Sequence, residues 1–205
     1  SDRKMRDGVW AKKEMRGSEL RGKKLGLIGY GRIARGVAEI ARGLGMEIHA
    51  YDPYMSSELM DGDFTLHEEV DSVFKECTHI SVHCFFSDET KHMVNLRRVS
   101  MMPSIGADGI ECGNHIVNCA RGGIVDEEGI LEALKTGKLS SAALDVFESE
   151  PATGNSLLGH DSFSSTPHIG ASTREAQARI GDEIISIVEE FEQGIMPGSA
   201  LNRLL

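Results

Sequence analysis

The chain has 205 residues, of which 40% are hydrophobic and 26% charged, a balance that supports a folded domain with a sizeable core. Its formal net charge of −10 argues against nucleic acid as a partner, because neutralising phosphates needs clustered Lys and Arg, and it suits anionic lipid no better. No apolar run approaches the ~20 residues that span a bilayer, and Ser1-Asp2-Arg3-Lys4 carries no apolar core of a signal peptide.

Residues 23–29 (KKLGLIG) read as a buried strand, and residues 32–44 place Ile33, Val37, Ile40, Ala41 and Leu44 on one helical face. Residues 46–51 form the next strand, ended by Asp52-Pro53. Residues 65–76 read as a helix, and 79–84 and 115–120 as strands. Residues 126–136 form a helix with acidic residues in its first turn, favourable against the helix dipole, and Gly137 beyond its end. A strand over 141–147 and a long amphipathic helix over 173–193 complete the pattern. Repeated βα units of this length predict an α/β fold, a doubly wound parallel sheet with helices on both faces. Ligands of such sheets bind beyond the carboxyl ends of the strands.

Cys77, Cys84, Cys112 and Cys119 form no CxxC pair, and no His cluster stands at metal spacing, so no metal site is expected. Cys84 and Cys119 close apolar runs and read as buried free thiols, which points to a reducing, cytoplasmic compartment.

Gly29-Tyr30-Gly31-Arg32-Ile33-Ala34 follows a strand and opens a helix. Gly29 allows the tight turn, Gly31 lets backbone approach a pyrophosphate, and Ala34 lets helix pack on strand. Amide groups and the positive end of the helix dipole then hold the anion. Asp52 lies 18 residues beyond Ala34, at the end of the second strand. A carboxylate there accepts from the ribose hydroxyls and repels a 2′-phosphate, so the expected cofactor is NAD rather than NADP.

Three segments fall past later strand ends. Asn118-Cys119-Ala120-Arg121-Gly122-Gly123 presents a cation, residues 145–151 (DVFESEP) present carboxylates, and Thr166-Pro167-His168-Ile169-Gly170 presents an imidazole after a Pro-set turn. Singly, these read as a surface cation, a solvated loop and a structural His. Together they are what hydride transfer at a 2-hydroxy acid needs. Arg121 would hold the substrate carboxylate and polarise the carbonyl. His168 would exchange a proton with the hydroxyl, and Glu150 would orient that ring and stabilise its protonated form. The other histidines lack this company: His49, His79 and His115 lie in or beside strands, His67 and His92 in helical stretches, His160 in a loop. His83 lies near a strand end, where it could approach the cofactor, but reads first as packing.

The segments GVW, LRGKKLGLIGYGRIA, YDPY, NCARGGIVDEEGILEALKTGKLSSAALDVFESEP and TPHIGAST resemble the nucleotide-binding domain of the D-isomer-specific 2-hydroxyacid dehydrogenases, with most similarity to the phosphoglycerate dehydrogenase branch. The resemblance implies a Rossmann-like NAD-binding domain over residues 1–195. It implies pyrophosphate contacts at Arg32 and Ile33, a ribose contact at Asp52, and contacts from Cys84, Cys119, Ala120 and Arg121. Asp145 would meet the nicotinamide carboxamide, and His168, Ile169, Gly170 and Ala171 would border the ring. It also implies a homodimer through this domain, with the Trp10 region in the contact. Residues 196–205 would return toward a smaller substrate domain absent from this chain, so the isolated domain is expected to turn over little substrate. The expected substrate is a small D-2-hydroxy or 2-oxo acid, 3-phosphoglycerate first, then hydroxypyruvate or glyoxylate. A dinucleotide-sensing module of corepressor type is the alternative from another class. Departures from the pattern are Ala34 for the third Gly, Phe85-Phe86 in place of a Pro, and a longer stretch over 103–114 expected to loop out.

Overall fold

The structure, a computed structural model, describes residues 2–55 and 63–198. Seven strands carry the architecture: β1 (Lys24–Ile28), β2 (Glu47–Tyr51), β3 (Thr65–Leu66), β4 (His79–Val82), β5 (His115–Asn118), β6 (Ser141–Leu144) and β7 (Phe163–Ser165). They form one sheet in the order β3-β2-β1-β4-β5-β6-β7, with every pairing parallel. Parallel neighbours require crossovers, and these are supplied chiefly by α2 (Arg32–Gly43), α3 (Val70–Glu76) and α5 (Glu127–Lys135). The order reverses between β1 and β4, so the chains leaving those strands diverge and open a crevice at the carboxyl edge.

Two apolar clusters lie on opposite faces of the sheet. One joins Leu25, Leu27, Ile48 and Ala50 to Ala34, Ala38 and Ala41 of α2. The other packs Ile28, Ile80, Val82, Ile116 and Leu144 against Val73, Phe74, Ile130 and Ala133 of α3 and α5. Leu25, Leu27 and Ile28 are all buried, which is why β1 reads as a continuous apolar run. Val117 of β5 is 39% exposed.

The helical face expected for α2 is corrected. Its alanines, not its isoleucines, meet the sheet, while Ile33, Ile40 and Leu44 are exposed and Val37 is half-buried. Small side chains bring the helix axis close to the strands, and the larger ones are turned outward. The helix expected over 65–76 begins only at Val70. Thr65 and Leu66 instead extend the sheet against His49 and Ala50, where a β-branched residue and an apolar neighbour have partners a helix would deny them. Helix ends follow side-chain chemistry: Asp126 accepts from the Gly129 amide, and Thr173 accepts from the Ala176 amide at the start of α6 (Arg174–Glu192). Elements too short to show a period also form: α1 (Asp2–Arg6), α4 (Leu96–Val99), capped by Asn95, the 3-10 turn Ser156–Gly159, and β7.

The stretch over 103–114 leaves the regular elements as a largely exposed turn, and it is anchored rather than loose. Ile105 bridges Glu111, the Gly106 amide donates to the Ile110 carbonyl, and Asp108 pairs with the Lys23 ammonium, itself 1% exposed. A buried ammonium requires such a partner, and the small hairpin supplies it at the entrance to β1.

The chain divides into two compact units, Ser1–Pro167 and His168–Leu205. The second unit is α6 with its flanks. Ile180, Ile184, Val188 and Phe191 of α6 are exposed. Of the expected return segment, residues 199–205 lie outside the described residues.

Candidate functional site

The first half of the site is made by backbone. Gly29 has φ of +88°, and a Cβ there would come within 2.8 Å of the Cys84 amide nitrogen, so the turn closes against the end of β4 only with glycine. Gly31 caps α2 in extended conformation with open space around its Cα, and no acidic residue stands in the first helical turn. Unpaired amides at that end, with the helix dipole behind them, form an anion-binding mouth. The Asp52 carboxylate anchors both sides of the crevice, accepting from the Tyr30 amide at 2.9 Å and the Tyr54 amide at 3.0 Å. Each oxygen keeps a lone pair for a further donor.

These groups border a cleft of about 500 Å³ that also takes in Glu69, Cys84, Phe85 and Arg98. Phe85 stacks with Tyr54 at 6.1 Å between ring centres, and Phe86 rests on Gly123. The two aromatics that depart from the family pattern thus wall the cleft and pack on the next loop. Burial pushes the Cys84 thiol up to about 11, so it lines the cleft as a neutral group. A larger, more open hollow of about 710 Å³ lies beside α5, but Asp126, Glu127, Glu128, Glu132 and Glu148 line it. That charge repels a carboxylate or a pyrophosphate, so size does not decide the site.

The second half is made by side chains held on two touching loops. Asn118, buried at the end of β5, accepts from the Ala120 amide and donates to the Arg121 carbonyl, both at 2.9 Å. This folds the Cys119–Ala120–Arg121 turn and leaves Arg121 exposed, its guanidinium donating to the Ala120 carbonyl. A Cβ at Gly122 would overlap the Phe147 carbonyl, so the loop after β5 lies directly on the loop after β6. There the Glu150 carboxylate accepts from the Phe147 amide at 3.0 Å. Asp145 is buried, its backbone tied to β5 and its carboxylate accepting from the Thr166 hydroxyl. Asn118, Gly122 and Thr166 were missed as site-forming residues. The only signal for them was their place at strand ends.

His168, Ile169, Gly170 and Ala171 open the second unit. His168 is exposed and has φ of +54°, a left-handed conformation rare for a non-glycine residue. The Ser172 amide donates to the Ile169 carbonyl, closing the turn that leads into α6.

Three expectations about other residues are corrected. Cys119 is exposed, because the turn set by Asn118 carries it out of the strand; all four cysteines are free. His67 and His92 are not helical: His67 follows β3, and His92 sits in a turn at φ +50°. Nor are the remaining histidines without carboxylates. His92 lies 3.1 Å from Glu148 and His49 3.7 Å from Glu76. Burial lowers His83, which hydrogen-bonds Ser81 and also lines the cleft beside Cys84.

The family model described as "D-isomer specific 2-hydroxyacid dehydrogenase, NAD binding domain" matches residues 1–170. The hydroxypyruvate reductase of Thermotoga maritima is 42% identical over 184 residues, 88% of this chain and 56% of that protein. The D-3-phosphoglycerate dehydrogenase of Methanocaldococcus jannaschii is 37% identical over 199 residues, 97% of this chain and 36% of that protein. A crystal structure of a D-isomer specific 2-hydroxyacid dehydrogenase from Polaromonas sp. JS6 66 superposes with a TM-score of 0.84 at 30% identity, covering 96% of this chain and 60% of that one. The chain therefore spans from about a third to somewhat over half the length of these relatives. With a parallel sheet whose switch point opens on a glycine turn and an anchoring Asp52, and with this match, the chain belongs to the NAD-binding domain of the D-isomer-specific 2-hydroxyacid dehydrogenase family.

Proposed function

We propose that this chain is the cofactor-binding half of an oxidoreductase that interconverts a D-2-hydroxy acid and its 2-oxo acid, with 3-phosphoglycerate as the first candidate substrate and hydroxypyruvate or glyoxylate next. The observation that carries the reading is the contact of the Arg121 loop with the Glu150 loop at the carboxyl edge that also holds the glycine turn. Gly29, Gly31, Arg32 and Ile33 would hold the pyrophosphate on backbone amides, and Asp52 would accept from the adenosine ribose. Cys84 would line the adenosine side. Cys119, Ala120 and Asp145 would border the nicotinamide side with Ile169, Gly170 and Ala171. Bound NAD supplies the hydride acceptor and donor.

Arg121 carries the substrate-holding role: its guanidinium is bidentate toward a carboxylate and polarises the adjacent carbonyl. His168 gives the oxo-acid oxygen a proton in reduction and takes it back in oxidation. Glu150 is the carboxylate assigned to that imidazole, favouring its protonated form. The other lobe of the longer protein would complete the substrate pocket. A homodimer fits the exposed apolar arm of Met5, Val9, Trp10 and Met15, of which Trp10 is 77% exposed. Four free thiols fit the cytoplasm.

The test is NADH oxidation by the full-length protein, followed at the nicotinamide absorbance, with 3-phosphohydroxypyruvate, hydroxypyruvate and glyoxylate compared at matched concentrations. Preference for the phosphorylated acid supports the first candidate. NADH binding without turnover of any 2-oxo acid rejects the catalytic reading in favour of a dinucleotide sensor. In that same protein His168→Ala is expected to lower kcat by about 10²–10⁴-fold while NADH affinity holds. An equal loss of both removes the proton-transfer role.

A further inference from the structure

The face of the sheet covered by α3 carries a second cluster of ligating side chains, below the cofactor crevice. His49 points from the middle of β2, His67 follows β3, and Glu76 is the last residue of α3. Their ligand atoms all lie within 4.8 Å of one another, with His49 Nδ1 2.8 Å from His67 Nε2 and 3.7 Å from Glu76 Oε2. Intervals of 18 and 9 residues match no linear metal motif. Three separate segments converge only because β3 adds to β2 and α3 packs against β2.

We propose that His49, His67 and Glu76 bind a divalent transition-metal ion of the zinc class. Two imidazoles and one carboxylate are a donor set that such ions favour, and three protein ligands leave a fourth position for water. His49 is buried, His67 half-buried and Glu76 exposed, so the cluster is walled on the protein side and open on the other. The two rings now share one proton along their 2.8 Å contact. Moving that proton to the far nitrogen of whichever ring carries it frees both facing lone pairs, with no net proton released. A metal takes the neutral imidazole, and the buried position of His49 disfavours a charged ring. Glu76 is held by the Lys24 ammonium at 3.1 Å across an exposed contact, and a small rotation of its carboxylate exchanges the lysine for the ion.

Such an ion would tie together β2, β3 and α3, three residues before Asp52 on β2. It would act as a clasp under the crevice rather than in the reaction. The experiment uses purified full-length protein, chelated and then titrated with Zn²⁺ by calorimetry and with Co²⁺ by visible absorption. The wild type is expected to bind one ion per chain, with d–d bands of a four- or five-coordinate Co²⁺ and no thiolate charge-transfer band. Zn²⁺ should also raise its thermal midpoint. His67→Ala and Glu76→Gln, at accessible positions that leave His49 in place, should each weaken binding by at least 10-fold and abolish the thermal shift, with NADH affinity unchanged. Zn²⁺ binding equal in wild type and both variants, a thiolate band, or no binding to folded wild type overturns the site.

Discussion

The two halves of the carboxyl edge are built from different materials. Around β1, β2 and β4 the site is backbone: Gly29 against Cys84, the amides of α2, and an Asp52 carboxylate spent partly on two further amides. Around β5 and β6 it is side chain: Arg121 and Glu150 project from loops whose shape depends on Asn118 and on the Gly122–Phe147 contact. The difference suits the tasks proposed for them. A pyrophosphate is met by a fixed array of N–H dipoles, whereas a reacting acid needs a charge placed at one point. The first half is therefore sensitive to any added Cβ, and the second to whatever holds two loops together.

Three changes would break or sharpen that contrast. The largest effect is expected from Gly122→Ala. The new methyl displaces the Phe147 carbonyl, destabilising the domain by about 1–3 kcal/mol in urea unfolding and cutting full-length turnover far more than NADH affinity. A parallel loss of both would show that the loops do not separate the two tasks. Asp52→Ala comes next. It strands the Tyr30 and Tyr54 amides and removes a charged acceptor, so NADH should bind about 10-fold more weakly or worse, and discrimination against NADPH should relax. Fluorescence titration with each dinucleotide decides, and an unchanged preference would make Asp52 a structural anchor alone.

The smallest effect concerns the opposite edge of the sheet, which lies outside both halves. Burial, followed by His115 and Lys23, lowers His79 to about 4 from the ordinary 6.5. Its native state resists protonation that the unfolded chain accepts. Stability from this group is therefore complete above about pH 6.5 and falls as the pH drops toward 4. Melting temperatures measured across that window should slope less steeply in His79→Gln. At neutral pH, NADH binding by the variant should match wild type, since the group is remote from the crevice.

Much was legible before folding. The glycine turn, Asp52, the Arg121 turn and the carboxylates after β6 lie in short stretches whose periodicity and punctuation are local, and the structure places each at a strand end. What failed did so for reasons of packing. The outward turn of Ile33, Ile40 and Leu44 on α2 could not be read from a helical period, because either face has the same spacing. Thr65 and Leu66 became a strand because β2 offered an edge. Over 103–114 what could not be read was the anchor, the pairing of Asp108 with a buried Lys23.

Sequence by itself determined the alternation of strand and helix, the glycine turn and the residue types that stand at the strand ends, since each rests on neighbours within a few positions. Tertiary structure alone decided which helix face is buried, that Asn118 and Gly122 shape the Arg121 loop, and that His49, His67 and Glu76 meet. Those outcomes depend on which strands become neighbours, and parallel pairing joins residues too far apart in the chain for any local pattern to record.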